Sequence, residues 1–130
     1  MRERPVVFCV EGTLPIAYNA SLRMHWAKRR ELARDFTWLM KASITKEDIN
    51  ILKAWRDLGH KLHISMEVYT QQLYDDDNLV SLGKIPLDAM KSMQWIKDDG
   101  PKFVKFDATE KLGAKRVIFT IRPLPLQGES

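Results

Sequence analysis

The chain has 130 residues, 45% hydrophobic and 29% charged, which suits one domain with a sizeable core. A net charge of +4 and a pI near 9.3 are compatible with a nucleic-acid partner without requiring one. The single cysteine, Cys9, excludes an internal disulfide and a cysteine-based zinc site, and no apolar run approaches the roughly 20 residues of a membrane span.

The N-terminal segment MRERPVVFCVEG is too short and punctuated for a signal peptide, so a cytoplasmic protein without a membrane partner is expected. Val6 to Val10 reads as a strand with Val6, Phe8 and Val10 on one face, ended by Glu11-Gly12-Thr13-Leu14-Pro15. After a loop through Asn19, Arg23 to Ile44 has helical period. Leu32, Phe36, Leu39, Met40 and Ser43 fall on one side, with Arg30, Arg34, Thr37 and Lys41 on the other. Thr45-Lys46-Glu47-Asp48 resembles a capping box opening a second helix to Leu58, with Gly59 as its stop. Lys61 to Thr70 alternates as a half-buried strand, with Leu62, Ile64, Met66 and Val68 inward. Leu79 to Trp95 is mostly helical, but Gly83 and Pro86 predict a kink or a restart near Pro86. Phe103 to Asp107 and Lys115 to Ile121 read as two more strands, with a turn over Thr109 to Gly113 and a loose tail from Pro123. The order β-α-α-β-α-β-β, with helical connections between the early strands, predicts an α+β domain with a mixed sheet.

The densest chemistry lies in YDDDNLVSLGKIPLDAMKSMQWIKDD, from Tyr74 to Asp99. Carboxylates stacked this closely repel one another unless a cation sits between them, and a divalent metal with a polyanion over it is the economical candidate. In extended backbone Asp75 and Asp77 share a face and can bridge a hard cation, and Asp99 can return to the same point after the helix. Lys84 is placed to neutralise charge developing on a phosphate. The plain alternative is a solvated acidic turn, since Asp and Asn are common turn residues. A calcium loop starting at Asp75 is excluded, because Leu79, Val80 and Pro86 stand where it needs a polar ligand, a glycine and a glutamate.

In order, Asp75, Asp77-Asn78, Lys84, Asp88-Ala89-Met90 and Asp98-Asp99 resemble the signature of the RusA-type Holliday-junction resolvases, small phage-associated endodeoxyribonucleases. Leu14-Pro15, Asn19, His25-Trp26 and Pro101-Lys102-Phe103 extend the resemblance over about Val6 to Ile121. The familiar form of the motif has its lysine four residues after the second aspartate, where this chain has Ser81. Lys84 lies three residues later, as an insertion between Asn78 and Lys84 would place it. Inside one regular helix such an insertion rotates everything downstream by about 300°, and Gly83 and Pro86 are the irregularity able to absorb it.

The resemblance implies a homodimeric α+β endonuclease domain over 1–122, followed by a flexible tail over 123–130. It implies a magnesium-dependent enzyme, with manganese as a possible substitute, that cuts branched DNA to leave 5′-phosphate and 3′-hydroxyl ends. Asp75, Asp77, Lys84, Asp88 and Asp99 become the catalytic set, with Asp75, Asp77 and Asp99 holding the metal, Asp88 in support and Lys84 on the phosphate. The basic segment offers Arg23, His25, Lys28, Arg29, Arg30, Arg34 and Lys41 to DNA, opposed only by Glu31 and Asp35. An ordinary solvated helix face competes with that reading, as a packed Trp26 competes with base stacking. Trp38 and Trp55 are expected in the core or at a subunit interface, and Cys9 as a buried, inert thiol. A catalytically silent DNA-binding or phage-assembly module of the same fold is the alternative function, and a small-phosphate phosphatase with a deep pocket is a third.

Overall fold

A computed structural model describes residues 4–15, 25–73 and 76–126, with the side chains of residues 76–78 outside that description. The element order is β1 (Val6–Glu11), α1 (Trp26–Ser43), α2 (Lys46–Asp57), β2 (Leu62–Thr70), α3 (Asp76–Ser81), α4 (Lys84–Ser92), β3 (Val104–Leu112) and β4 (Arg116–Pro123). The strands form one four-stranded sheet in the order β1-β4-β2-β3. β4 runs antiparallel to β1 and β2, and β2 runs parallel to β3, so the sheet is mixed, as the helical connections predict. The parallel pair needs a crossover, and α3 and α4 supply it.

Period-2 burial decides which sheet face is covered. Val6, Phe8 and Val10 of β1, Leu62, Ile64, Met66 and Val68 of β2, and Val117, Phe119 and Ile121 of β4 are all buried. They share one core with Phe36, Met40, Leu52, Trp55, Leu82, Met90, Trp95 and Ile96 from the helices, the α3–α4 turn and the loop after α4. Each large apolar side chain fully removed from water here contributes on the order of 1.5–3 kcal/mol. Phe8 centres the cluster, stacked on Phe119 at 5.1 Å and edge-on to Trp95 at 5.9 Å. The opposite sheet face carries half-buried His63, Ser65, Glu67 and Tyr69 and exposed Lys105, Asp107 and Lys111.

Several sequence expectations take their final form here. Thr45 caps α2 by accepting from the Asp48 amide at 3.1 Å, while the Asp48 carboxylate accepts from Arg4 Nη2 at 3.3 Å. α2 closes with the Gly59 amide on the Arg56 carbonyl and the His60 amide on the Trp55 carbonyl, around Gly59 at φ 87°. That is the Schellman closure a C-terminal glycine allows. The Leu79–Trp95 segment restarts at Lys84, with Pro86 inside the first turn of α4, where its missing N–H has no helical partner to lose.

Thr109 to Leu112 continue β3, and the turn is confined to the following residues. Their polarity belongs to an edge strand, where charged residues shield unpaired backbone. In α1 the buried stripe is Phe36, Met40 and the following Ile44, while Leu39 is 39% exposed. Thr37 turns partly inward and donates to the Ala33 carbonyl at 2.8 Å. Trp55 is core, but Trp38 is 69% and Trp26 56% exposed, so neither belongs to the core of the described residues. At 100° per residue Trp38 lies on the side of α1 opposite the Phe36–Met40 stripe, while Trp26 shares the azimuth of that stripe but stands exposed at the first residue of the helix. Pro123 ends β4, and the Leu124 amide bonds the Lys61 carbonyl at 2.8 Å, so the tail is tied down at its start. Cys9 is half-buried, and burial pushes its thiol above the ordinary value.

Candidate functional site

The site grows from the junction between α3 and α4. Gly83 is buried, and a Cβ there would collide with the Phe106 ring of β3. Only a glycine lets this turn lie on the sheet, and Lys84 follows at once as the first residue of α4. One turn on, Asp88 accepts from Lys84 Nζ at 3.2 Å, the i,i+4 pairing that helix geometry favours.

The second carboxylate arrives by a different device. α4 ends in another Schellman closure, with the Gln94 amide on the Lys91 carbonyl and the Trp95 amide on the Met90 carbonyl. Gln94 adopts φ 62°, a left-handed conformation normally left to glycine. Burial of Trp95 and Ile96 and a hydrogen bond from Arg56 Nη1 to the Gln94 carbonyl hold it there. The chain therefore doubles back and brings Asp99 Oδ2 to 3.7 Å from Lys84 Nζ. Its neighbour Asp98 faces away and pairs with Lys91 Nζ at 3.1 Å.

Lys84 thus stands between Asp88 and Asp99. Its hydrogen bond to Asp88, with the charges of Asp88 and Asp99 behind it, raises its pKa above the ordinary lysine value. The ammonium stays charged at neutral pH, which suits an electrostatic role and not a general base. Asp98 is held below the ordinary carboxylate range by the Lys91 ammonium. The cluster is open to solvent, with the Lys84 and Asp88 side chains 45% and 52% exposed. Substrates too large for an enclosed pocket can reach it.

Beside Asp88 runs a groove of about 290 Å³ between α1 and α4, with Arg30, Arg34 and Thr37 on one wall and Ile85, Asp88 and Ser92 on the other. Ala33 and Ala89 line its floor and let the helices approach closely. The guanidinium of Arg30 also lies 4.9 Å from the Trp26 ring centroid, within cation–π range. His25 begins α1, its Nδ1 accepting from the Ala27 amide at 3.2 Å. The two arginines therefore meet the acidic cluster at one edge.

The other sequence candidates fall as follows. Asp75 and Arg23 lie outside the described residues. Asp77 and Asn78 belong to α3, so the extended-strand rule pairing Asp75 with Asp77 does not apply there: the backbone is already helical from Asp76, as short polar residues favour in a first turn. Lys28 and Lys41 are exposed on α1, and Arg29 is half-buried. Among the described residues no three His, Cys, Asp or Glu side chains converge. Sequence reasoning missed the Lys91–Asp98 pair, whose i,i+7 spacing crosses a helix end and carries no periodic signal. It also missed the Arg30–Trp26 contact, although i,i+4 spacing on one helix was available to find it.

No family model matches the chain, and no curated protein matches it. No described helix is long and apolar enough to cross a membrane.

Proposed function

We propose that this protein is a RusA-type resolvase, a magnesium-dependent endonuclease that cuts branched DNA as a homodimer. The observation that carries this reading is the Lys84 ammonium between Asp88 and Asp99, at the edge of a groove walled by Arg30 and Arg34. A phosphodiester backbone laid along that groove meets two guanidiniums first, the residues best matched to phosphate. It then meets a lysine whose charge is assured. The open surface favours a polymer over the small phosphate of a pocket enzyme.

Among the described residues Asp88 and Asp99 bring carboxylate oxygens, the donor type a hard divalent cation takes, to one positive charge. Asp75, Asp77 and Asp99 would hold magnesium, or manganese in its place. Such an ion supplies Lewis-acid polarisation of a phosphate oxygen and a bound water of lowered pKa. The protein's own share is positional. Asp88 aims Lys84, Lys84 faces the negative charge that grows on the phosphate, and Arg30 and Arg34 hold the flanking backbone.

A labelled synthetic four-way junction incubated with and without magnesium tests the reading. Paired, magnesium-dependent cuts near the branch are expected, and absence of cleavage with every branched substrate would sink it. The second reading, a silent DNA-binding or phage-assembly module, draws on the same ion pairs: Lys84 already offsets Asp88 and Asp99 without a metal. It requires tight junction binding with no magnesium uptake by calorimetry.

A further inference from the structure

Away from this site, a cleft of about 440 Å³ opens between the end of α2, the start of β2 and the loop after α4. That volume lies in the range of small-ligand sites. We propose that this cleft binds a phosphate monoester, the terminal phosphate of a mononucleotide or of a 5′-phosphorylated strand, through Lys61, Lys97, Lys102 and His60.

Charge is the first argument. Arg56, Lys61, Lys97 and Lys102 line the cleft with one carboxylate, Asp57, and that carboxylate is taken by Arg56 Nε at 2.9 Å. Among the described residues no carboxylate pairs with the three lysines. Two of them instead crowd the same ring, with Lys97 Nζ 5.6 Å and Lys102 Nζ 5.7 Å from the Phe103 centroid. Three like charges on one cleft repel one another, and a dianion removes that repulsion.

His60 supplies the second argument. Its Nδ1 lies 2.8 Å from the Leu124 carbonyl, which can only accept, so Nδ1 carries a proton. Its Nε2 is buried without a hydrogen-bond partner. A buried polar nitrogen left unpaired costs about 1–3 kcal/mol. His60 lines the cleft, and a turn of its ring would bring Nε2 to a phosphate oxygen there, the imidazolium N–H donating to that oxygen or the P–OH of the monoanion donating to Nε2. The opposition of the α2 end to an anion is lessened, because its Ala54, Trp55 and Arg56 carbonyls are occupied by the Leu58, His60 and Gly59 amides. The loop 94–103 thus turns Asp98 and Asp99 one way and Lys97 and Lys102 the other. The cleft shares no side chain with the Lys84 cluster and stands apart from the nuclease reading.

The histidine ring resonances of the full chain report on this directly, because His25, His60 and His63 are its three histidines. Titration with inorganic phosphate and with AMP is expected to move His60 saturably while His25 and His63 stay, and adenosine is expected to move none. The surface variant Lys97→Gln/Lys102→Gln should weaken that binding at least tenfold, and Lys46→Gln/Lys115→Gln, with the same loss of charge at exposed lysines outside both sites, should leave it intact. A short oligonucleotide that moves His60 only when 5′-phosphorylated points to a strand end as the source, and an effect confined to AMP points to the free nucleotide. The proposal is overturned by any of three results: no saturable shift of His60, parallel shifts of all three rings, or equal weakening in the two double variants.

Discussion

Lys84 and Asp77 set the expectations at the scale of single residues. Lys84 faces charge that develops in the transition state, so Lys84→Ala should lower the cleavage rate by about 10²–10³-fold, the effect of losing one preorganised donor, while junction affinity changes little. Lys91→Ala removes only an exposed ion pair and should retain cleavage. If the two variants ranked in the opposite order in single-turnover assays, Lys84 would be a surface lysine and its assignment to the phosphate wrong. Because Asp88 raises the Lys84 pKa, the rate should show no alkaline limb from this group below the ordinary lysine value of about 10.4. Asp77→Asn is nearly isosteric and removes one negative charge from the acidic segment. It should abolish cleavage and leave junction binding intact or tighter in a gel-shift assay. Wild-type turnover in that variant rules out the metal assignment.

Within elements, two backbone positions carry the site. Gly83→Ala drives a methyl group into the Phe106 ring, and overpacking of this kind costs about 1–3 kcal/mol. Urea unfolding should show that loss, with reduced activity because Lys84 sits on the displaced turn. Gln94→Gly should do the reverse. Its φ of 62° strains a residue with a Cβ by roughly 1–2 kcal/mol, partly offset by the added freedom of glycine in the unfolded chain. A gain of about 0.5–1 kcal/mol is expected, and a loss would mean that the Gln94 side chain holds the Asp98–Asp99 loop in a way its backbone geometry does not reveal.

For the whole molecule, the groove and the proposed two-fold assembly make one joint prediction. A four-way junction has near two-fold symmetry, and a closed dimer offers it two identical sites. Light scattering should therefore report a dimer. Arg30→Glu/Arg34→Glu should weaken junction binding at least tenfold and lower the salt dependence of log K by about two. Exposed Trp38 gives α1 an apolar side chain that the partner subunit of the proposed dimer would cover. A strict monomer whose affinity ignores both reversals and salt would favour the silent module.

Much of this was legible along the chain. Alternating apolar residues marked β1, β2 and β4 and their buried faces, and Thr45 and Gly59 marked both ends of α2, because period and capping are local properties. Lys84 to Asp88 at i,i+4 was likewise readable once a helix was expected there. Three things were not. Leu39 and Trp38 look like core by composition, yet the azimuth of α1 against the sheet leaves them exposed. The extension of β3 through Leu112 depends on pairing with β2, to which its polar sequence gives no local clue. The return of Asp99 to Lys84 was expected from the motif, but the left-handed residue that effects it, Gln94, held by the burial of Trp95, was not. Local sequence determined the helices, the strands and the supply of charge. Tertiary packing decided which charges meet beyond a helical turn, because a meeting between residues far apart in the chain is set by what the core buries.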